Sequence, residues 1–225
     1  MSSLPKASAR KRAPRKATAP RNLSSNARTA ILAAALKIFA RDTFDGASLQ
    51  EIARRANVGQ PLVHYHFGSK EELWKATVDY ALSDLKDFFQ SVSLTTVDLQ
   101  PVDTIRVLCR AFLRFAAERP EHGLIMMHEA RAHGERFEWL MEKYTIPIHR
   151  DLDALIERGI ELGQLKDIPP AHSTSAILIL LLHFYTIGPM IRAIYGLDVT
   201  DPAIVSDHTD HMMTLIFDGI LAKPA

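Results

Sequence analysis

Two helix-start signals with a tight turn between them constrain this chain more than any other feature of its sequence. Residues 48–51 (SLQE) and 69–72 (SKEE) are capping boxes, in which a serine hydroxyl and a glutamate carboxylate satisfy free backbone N–H groups at a helix start. Residues 57–59 (NVG) favour a turn because Asn and Gly tolerate left-handed backbone angles. The stretch therefore predicts a helix, a turn and a short helix, followed directly by a long helix.

The remainder of the chain also has helical periodicity, and the predicted fold class is all-α. Apolar residues recur at helical spacing over 31–39 and predict a first helix at 27–41, which Asp45 and Gly46 end. Pro147 and Pro189 should kink the helices that contain them. After a polar stretch, further helices are predicted at 102–118, 120–132, 135–163, 171–195 and 201–221.

The short helix predicted at residues 60–66 has one face that suits a core and one that suits a surface. Val58, Val63 and Phe67 can point back toward the preceding helices. The outward side chains are then Gln60, Pro61, His64 and Tyr65. In a helix-turn-helix such a helix fits the DNA major groove, where Gln can pair with adenine and apolar groups can touch a thymine methyl. The other interpretation is that the aromatic residues fill a joint between two domains, as we expect in part for His66 and Phe67.

The N-terminal third is strongly basic, which indicates a polyanionic partner such as nucleic acid. The net charge of +1 hides this asymmetry, since residues 1–70 carry +10 and the remainder carries −9. Arg28, Ser48 and Lys70 stand at or near predicted helix N-termini, where backbone N–H groups and side chains can hold phosphates.

Residues 1–26 are predicted to form a disordered basic arm, because they are rich in Pro, Ala, Ser and basic residues and lack apolar periodicity. A nucleic-acid-binding arm, an inert solubilising tail and an organellar transit peptide all share this composition. The prolines of the segment argue against the amphipathic helix of a transit peptide, and the apolar stretch of a secretory signal is missing.

Residues 27–75 resemble the N-terminal domain of the TetR family of bacterial transcriptional regulators. The resemblance is carried by the order and spacing of ILAAALKIFA, ASLQEIARRANV and YHFGSKEEL. It implies an all-helical homodimer in which each protomer places a recognition helix in one major groove of a palindromic operator on double-stranded DNA. It also implies a pocket for a small-molecule effector in the C-terminal domain. The family pattern puts these residues at the DNA, the last of them at a phosphate: Gln60, Pro61, Tyr65, His66 and Lys70.

Three positions depart from the family pattern, which predicts fewer contacts to the DNA backbone than usual. His64 stands in place of a backbone-contacting tyrosine, Leu62 in place of a common threonine, and Gly59 in place of a common serine cap. An imidazole can still donate to a phosphate, whereas Leu62 cannot. Compensating charge would come from the arm residues Arg10, Lys11, Arg12, Arg15 and Lys16.

The C-terminal residues carry weaker signals, for ligand binding and for dimerisation. Aromatic, sulfur-bearing and imidazole side chains on inner helices could line an apolar pocket or be ordinary core. The candidates for ligand contact are Phe112, Met126, Trp139, His183 and Phe184. The apolar segments 175–191 and 211–220 would form a four-helix interface across a twofold axis of a homodimer.

Other chemistries have less support from the sequence. Cys109 is the only cysteine, so an intramolecular disulfide is impossible. His208 and His211 lie one helical turn apart but lack a third ligand at a motif spacing, so no metal site is predicted. Residues 177–191 are apolar but shorter than the ~20 residues that span a membrane. We find no cofactor motif, nucleophile–base pair or phosphate loop, and predict no cofactor and no enzymatic activity.

The predicted organisation is a basic arm at 1–26, a helix-turn-helix DNA-binding domain at 27–74 and a ligand-binding and dimerisation domain at 75–225. The predicted function is that of a cytoplasmic, ligand-responsive transcriptional regulator, with repression preferred and release by a small molecule. Activation would leave the same sequence signals. The alternative is a helical small-molecule-binding protein or enzyme without DNA-binding activity.

Overall fold

Helices account for most of the backbone that the computed structural model describes, which is residues 21–95 and 99–221. This confirms the predicted all-α class, and the β-type pairing in those residues is one isolated bridge between Leu165 and Leu221. A π-helical turn, Met141–Thr145, joins two of the α-helices. The α-helices are α1 (Arg21–Gly46), α2 (Leu49–Arg55), α3 (Gln60–Phe67), α4 (Lys70–Thr95), α5 (Pro101–Glu118), α6 (Glu121–Ala132), α7 (Glu135–Leu140), α8 (Ile146–Glu161), α9 (Pro170–Thr186), α10 (Gly188–Tyr195) and α11 (Pro202–Ile220).

The first helix begins earlier than predicted, and its helical backbone is interrupted close to the predicted end. It begins at Arg21, so residues 21–26, which the sequence assigns to the basic arm, lie in α1. The last proline of the basic segment is Pro20, and nothing after it interrupts a helix until the backbone of Thr43 departs from helical angles, with φ 64° and ψ 177°. The rest of the predicted arm, residues 1–20, lies outside the described residues.

The predicted capping signals set the boundaries of α2, α3 and α4. Ser48 Oγ accepts the N–H of Glu51 at 3.4 Å, and Ser69 Oγ accepts the N–H of Glu72 at 3.0 Å. Asn57, with φ 55°, makes the turn between α2 and α3. The serine half of each capping box is therefore confirmed. The N-terminal head, α1 to α3, packs on α4 around these buried side chains: Ile31, Phe39, Ile52, Val63, Phe67 and Trp74.

Prolines divide two helices that the sequence predicts as single ones. The predicted helix at 135–163 separates into α7, the π turn and α8, because Pro147 cannot donate a backbone hydrogen bond in the first turn of α8. The predicted helix at 171–195 breaks before Pro189 into α9 and α10, whose axes meet at 68°.

The C-terminal body, α5 to α11, is built around α5, which packs against α8, α9 and α11. Helix α6 approaches α9 closely at Gly123, where a Cβ atom would lie 2.2 Å from Thr186 Oγ1. In the described chain no individual helix has the length and apolar character needed to cross a membrane. The bent pair α9 and α10 meets that test of length and composition only when both helices are counted together.

Arg136 of α7 joins the body to the head. Its guanidinium carbon lies 3.8 Å from the centroid of the Phe44 ring, and its Nε lies 3.2 Å from a carboxylate oxygen of buried Glu129 on α6. Lys70 Nζ lies 4.9 Å from the same Phe44 centroid and donates to the carbonyl of Asp45 at 3.2 Å. The end of α1 is thus fixed against both α4 and α7.

Candidate DNA-reading surface and effector cavity

The two faces of α3 differ in the way that the sequence predicts. Val63 and Phe67 are buried against the head, whereas Tyr65 is 79% exposed. Gln60, Pro61 and His64 are also exposed. We call these four exposed side chains, Gln60, Pro61, His64 and Tyr65, the reading surface. A rigid short helix therefore presents an amide, a pyrrolidine ring, an imidazole and a phenol to the outside.

The two histidines of α3 are placed differently. His64 Nδ1 lies 3.3 Å from the carbonyl oxygen of Gly68, a geometry in which Nδ1 donates and Nε2 remains available on the outer side. His66 is half-buried between Tyr65 and Phe67, with ring centroids 5.4 Å and 6.0 Å away. Its Nε2 is buried without a hydrogen-bond partner among the described residues. His66 therefore contributes more to the packing of α3 on the rest of the head than to the reading surface.

The three residues predicted to hold phosphates near helix starts each make a contact within the head as well. Arg28 is exposed and its guanidinium carbon lies 5.3 Å from the centroid of the Phe67 ring. Ser48 is exposed while it caps α2. Lys70 is half-buried, and one of its N–H groups is committed to the carbonyl of Asp45.

The acidic side chain of α2 is neutralised within its own helix. Glu51 accepts hydrogen bonds from Arg54 Nε at 2.7 Å and from Arg55 Nε at 3.0 Å. These bonds, with that of Arg54 the stronger, lower the pKa of Glu51 to about 2. Glu51 therefore remains ionised in its bonds to the two arginines, and the group keeps a net charge of +1 beside α3.

A cavity of about 260 Å³ lies in the body, with walls from α4, α5, α6, the π turn, α8 and α9. Most of the wall is apolar, consisting of Leu82, Leu85, Phe112, Met126, Ile148, Leu178, Ile179 and Leu182. The other lining residues are Lys86, His122, Tyr144, Thr145, His149 and Ser175. An apolar cavity with a few polar groups is the usual form of a small-molecule site.

Two of the five predicted ligand residues, Phe112 and Met126, line this cavity, and three do not. Trp139 packs on Trp74, with ring centroids 5.7 Å apart, and so belongs to the joint with the head. His183 is exposed on α9. Phe184 stacks on His208 at a centroid distance of 3.8 Å, between α9 and α11. An aromatic side chain on an inner helix can face several neighbours, and the sequence does not say which one.

The predicted ligand residues include none of the polar residues of the cavity, among them His122, Lys86 and His149. His122 precedes Met126 by four residues, so helical spacing places both on one face of α6. Burial lowers the pKa of His122 to about 4, and its Nδ1 is buried without a hydrogen-bond partner among the described residues. His149 Nδ1 donates to the carbonyl of Thr145 at 2.9 Å, which orients its ring.

Tyr144 connects the cavity to α4. Its buried ring lines the cavity, and its hydroxyl donates to Asp79 Oδ1 on α4 at 2.5 Å. Burial and this hydrogen bond raise the pKa of Tyr144. Lys143 Nζ donates to the same carboxylate oxygen at 2.7 Å, and the Tyr144 ring lies 6.0 Å from that of Trp139. A change in the cavity wall can therefore reach the helix that carries the head.

Two family sequence models match this chain, one in its N-terminal part and one in its C-terminal part. The family sequence model described as bacterial regulatory proteins, tetR family, matches residues 31–77. The model described as tetracyclin repressor-like, C-terminal domain, matches residues 101–216, half of the chain. The chain belongs to the TetR family.

Relatives of known role agree with this TetR assignment. The HTH-type transcriptional regulator RutR of Escherichia coli (strain K12) is 28% identical over 198 residues, covering 85% of this chain and 89% of RutR. The HTH-type transcriptional regulator BetI of Rhizobium meliloti (strain 1021) is 33% identical over 94 residues, which cover 42% of this chain and 45% of BetI. This TetR-family chain is thus a DNA-binding, ligand-responsive transcriptional regulator.

Solved structures confirm the TetR fold. The ketosteroid transcriptional regulator KstR2 of Mycobacterium tuberculosis superposes with a TM-score of 0.72 at 18% sequence identity. The superposition covers 87% of this chain and 95% of KstR2. The N-terminal family match ends within α4 and the C-terminal match begins with α5, so α4 links the two parts.

The remaining histidines of this TetR-family protein do not gather around a common point. His211 Nδ1 lies 2.8 Å from the carbonyl of Asp207, and His208 is stacked on Phe184. Across residues 21–95 and 99–221, no three His, Cys, Asp or Glu side chains form a group that could hold a metal ion.

Proposed function

We propose that this TetR-family protein is a repressor that binds a palindromic operator as a homodimer and leaves it when a small molecule fills the cavity. The observation that carries the proposal is the reading surface, which a buried inner face holds rigidly on the outside of the head. Two such helices in a dimer need a separation of about 34–36 Å to enter successive major grooves. We place this activity in the cytoplasm, where bacterial DNA lies.

In this proposal the residues of the head divide the work between base edges and phosphates. Gln60 and Tyr65 read bases, since an amide can pair with adenine and an aromatic ring can contact a thymine methyl. His64 and Arg28 would approach phosphates near the C-terminal end of α3, where His64 Nδ1 lies against the Gly68 carbonyl and Arg28 lies over the Phe67 ring. Because Nδ1 of His64 already donates, its Nε2 can donate to a phosphate only when the ring is protonated. Lys70 and His66 contribute less directly to DNA binding, because both side chains are half-buried and Lys70 donates to the carbonyl of Asp45.

An exposed apolar face supports the proposed homodimer. Large apolar side chains on α9, α10 and α11 are open to solvent in the single chain, although a monomeric protein rarely exposes so many together. The most exposed of them are Ile179, Met190, Ile194, Tyr195 and Leu215. Pairing of these helices across a twofold axis would bury them and would fix the spacing of the two heads.

Effector release would work through α4. A molecule in the cavity touches Tyr144, whose hydroxyl is bonded to Asp79 in the middle of α4. If the molecule binds better to a dimer with splayed heads, it shifts the population away from the spacing that fits DNA. Linkage then requires effector and operator to weaken each other by the same factor.

The test is a gel-shift titration of the full chain with the DNA upstream of its own gene. Gln60→Ala and Tyr65→Ala should each weaken binding about tenfold or more, because a base contact is worth roughly 1–3 kcal/mol. Gln90→Ala removes the same amide from an exposed position on α4 and should bind like the unaltered protein. Unchanged affinity in both reading-surface variants, with circular dichroism showing intact helices, would refute the assignment of α3. A specific shift combined with higher expression from that promoter would indicate activation.

A further inference from the structure

The charge of the effector cavity is one-sided. Its fourteen lining residues include one lysine and no aspartate or glutamate. Lys86 both lines the cavity and is exposed, which is expected of a side chain at the mouth, and no ion pair of Lys86 occurs among the described residues. Burial keeps His122 neutral at physiological pH, because it lowers the pKa of this histidine to about 4. The lining side chains would repel a bound cation and attract a bound anion, and low-polarity walls strengthen both effects. The Asp79 carboxylate behind Tyr144 is already paired with Lys143.

The size of the cavity limits what it can hold. A dry apolar cavity of about 150 Å³ accommodates one benzene ring. The present cavity, about 260 Å³, has room for a ring and a few more atoms. Phe112, Tyr144 and Met126 offer aromatic and sulfur surfaces for a ring, which are favourable contacts for another aromatic group. A long acyl chain would exceed this space.

One polar atom of the inner wall lacks a partner. His122 Nδ1 is buried and makes no hydrogen bond with any described residue, and its ring is fixed edge-on against Phe115 at a centroid distance of 5.4 Å. A buried polar group without a partner costs free energy that a bound hydroxyl would recover. His149 Nε2 offers a second site, since Nδ1 is already used by the carbonyl of Thr145.

We propose that the effector is a small aromatic carboxylate whose charged end meets Lys86 at the mouth, whose ring lies against the apolar wall and whose ring substituent bonds to His122. This deepens the proposed function and rests on it, because it names the class of molecule that would release the operator. The carboxylate remains partly hydrated at the mouth while the ring is removed from water, so neither end pays a full desolvation penalty.

Calorimetric titration of the full chain with three probes that differ only in charge tests the proposal. The probes are benzoate, neutral benzamide and cationic benzylamine, at pH 7.5. Benzoate should bind about tenfold more tightly than benzamide, the strength expected of a charge-assisted hydrogen bond near the surface, and benzylamine should bind most weakly. Lys86→Met should lower the affinity for benzoate to that for benzamide. Lys37→Met removes the same charge from an exposed position on α1 and should change nothing.

The position of His122 is tested with the three monohydroxybenzoates. At least one isomer should bind more tightly than benzoate, and His122→Leu should abolish that gain while benzoate itself still binds. Equal gain in the variant, or no gain with any isomer, would remove His122 from the site.

The same proteins are then tested on operator DNA. Suppose that the unaltered chain shifts the DNA. The carboxylate inference is then overturned if benzoate fails to bind, binds no better than benzamide, or binds the Lys86→Met variant with unchanged affinity. In each of these cases the proposed regulatory function is still supported. If the unaltered chain does not bind the DNA, the proposed function itself fails. Binding of benzoate that loosens the operator by the same factor as the operator loosens benzoate would support both.

Discussion

At the scale of single residues, the burial of His122 makes the stability of this regulator depend on pH. The pKa of this histidine is about 4 in the folded chain, against an ordinary 6.5. Well above pH 6.5 the imidazole is neutral in both states and adds no pH dependence. As the pH falls from 6.5 toward 4, the unfolded chain takes up a proton that the folded chain does not, so the free energy of unfolding decreases.

His122→Leu should remove this part of the acid sensitivity. Between pH 7.5 and pH 4.5 the unaltered protein should lose about 2–3 kcal/mol more unfolding free energy than the variant, since one pKa unit corresponds to about 1.4 kcal/mol. Urea titrations at both pH values and a fixed protein concentration measure the difference. His172→Leu is the control, because that side chain is exposed on α9 and hydrated in both states. Parallel pH profiles for His122→Leu and the unaltered protein would contradict the prediction.

At the scale of helices, local signals predicted the head better than the body. The signals at Ser48, Asn57 and Ser69 act on backbone atoms within a few residues, so they could be recognised in the sequence. They mark the boundaries of α2, α3 and α4 as expected. The division of the predicted helix at 135–163 could not be placed in the same way. A proline predicts an interruption, but whether the backbone bends or adopts a π turn depends on the packing of α7 against α6.

The cavity of the body was only partly predictable for the same reason. Helical periodicity identifies the inner face of a helix but not which neighbour that face meets. Phe112 and Trp139 were equivalent candidates in the sequence, yet Phe112 lines the cavity and Trp139 packs on Trp74. Nothing in the sequence around Lys86 marks it as a cavity residue. Its charge matters because the five other segments of the cavity wall contribute no acidic side chain to the lining, and that is visible only in the folded chain.

The connection between the π turn and α4 leads to a prediction about coupling. Tyr144→Phe keeps the ring in the cavity wall and removes the hydroxyl that donates to Asp79. Operator affinity without effector should change less than threefold, because the head is untouched. The loosening of the operator by saturating benzoate should decrease, because this bond no longer transmits occupancy of the cavity to α4, while the direct contacts with Leu82, Leu85 and Lys86 of α4 remain.

Tyr80→Phe provides the matched control for that experiment. Tyr80 is the neighbour of Asp79 on α4 and is 38% exposed, so loss of its hydroxyl should leave the coupling intact. Gel-shift titrations with and without benzoate give the ratio of affinities for each protein. A Tyr144→Phe variant that responds as strongly as the unaltered protein would show that coupling takes another route.

At the scale of the whole molecule, the proposed dimer is what converts two weak contacts into one strong contact. Joining two half-site binders typically raises affinity by about 10²–10⁴, provided that both can engage at once. Leu215 is 62% exposed on α11, within the apolar face of α9 to α11. Leu215→Glu should therefore place two like charges near the twofold axis and dissociate the dimer. Operator affinity should then fall by a factor in that range, although each head remains folded.

Val107→Glu separates this effect from that of an added surface charge. Val107 is 40% exposed on α5 and is not one of the apolar side chains of α9 to α11, so its variant should remain dimeric and bind the operator normally. Sedimentation equilibrium gives the oligomeric state of both proteins, and gel-shift titration on full and half operators gives the affinities. For the Leu215→Glu monomer the two operators should become equivalent, because a single head reads only one half-site. A Leu215→Glu protein that still sediments as a dimer would show that the apolar face of α9 to α11 does not hold the two chains together.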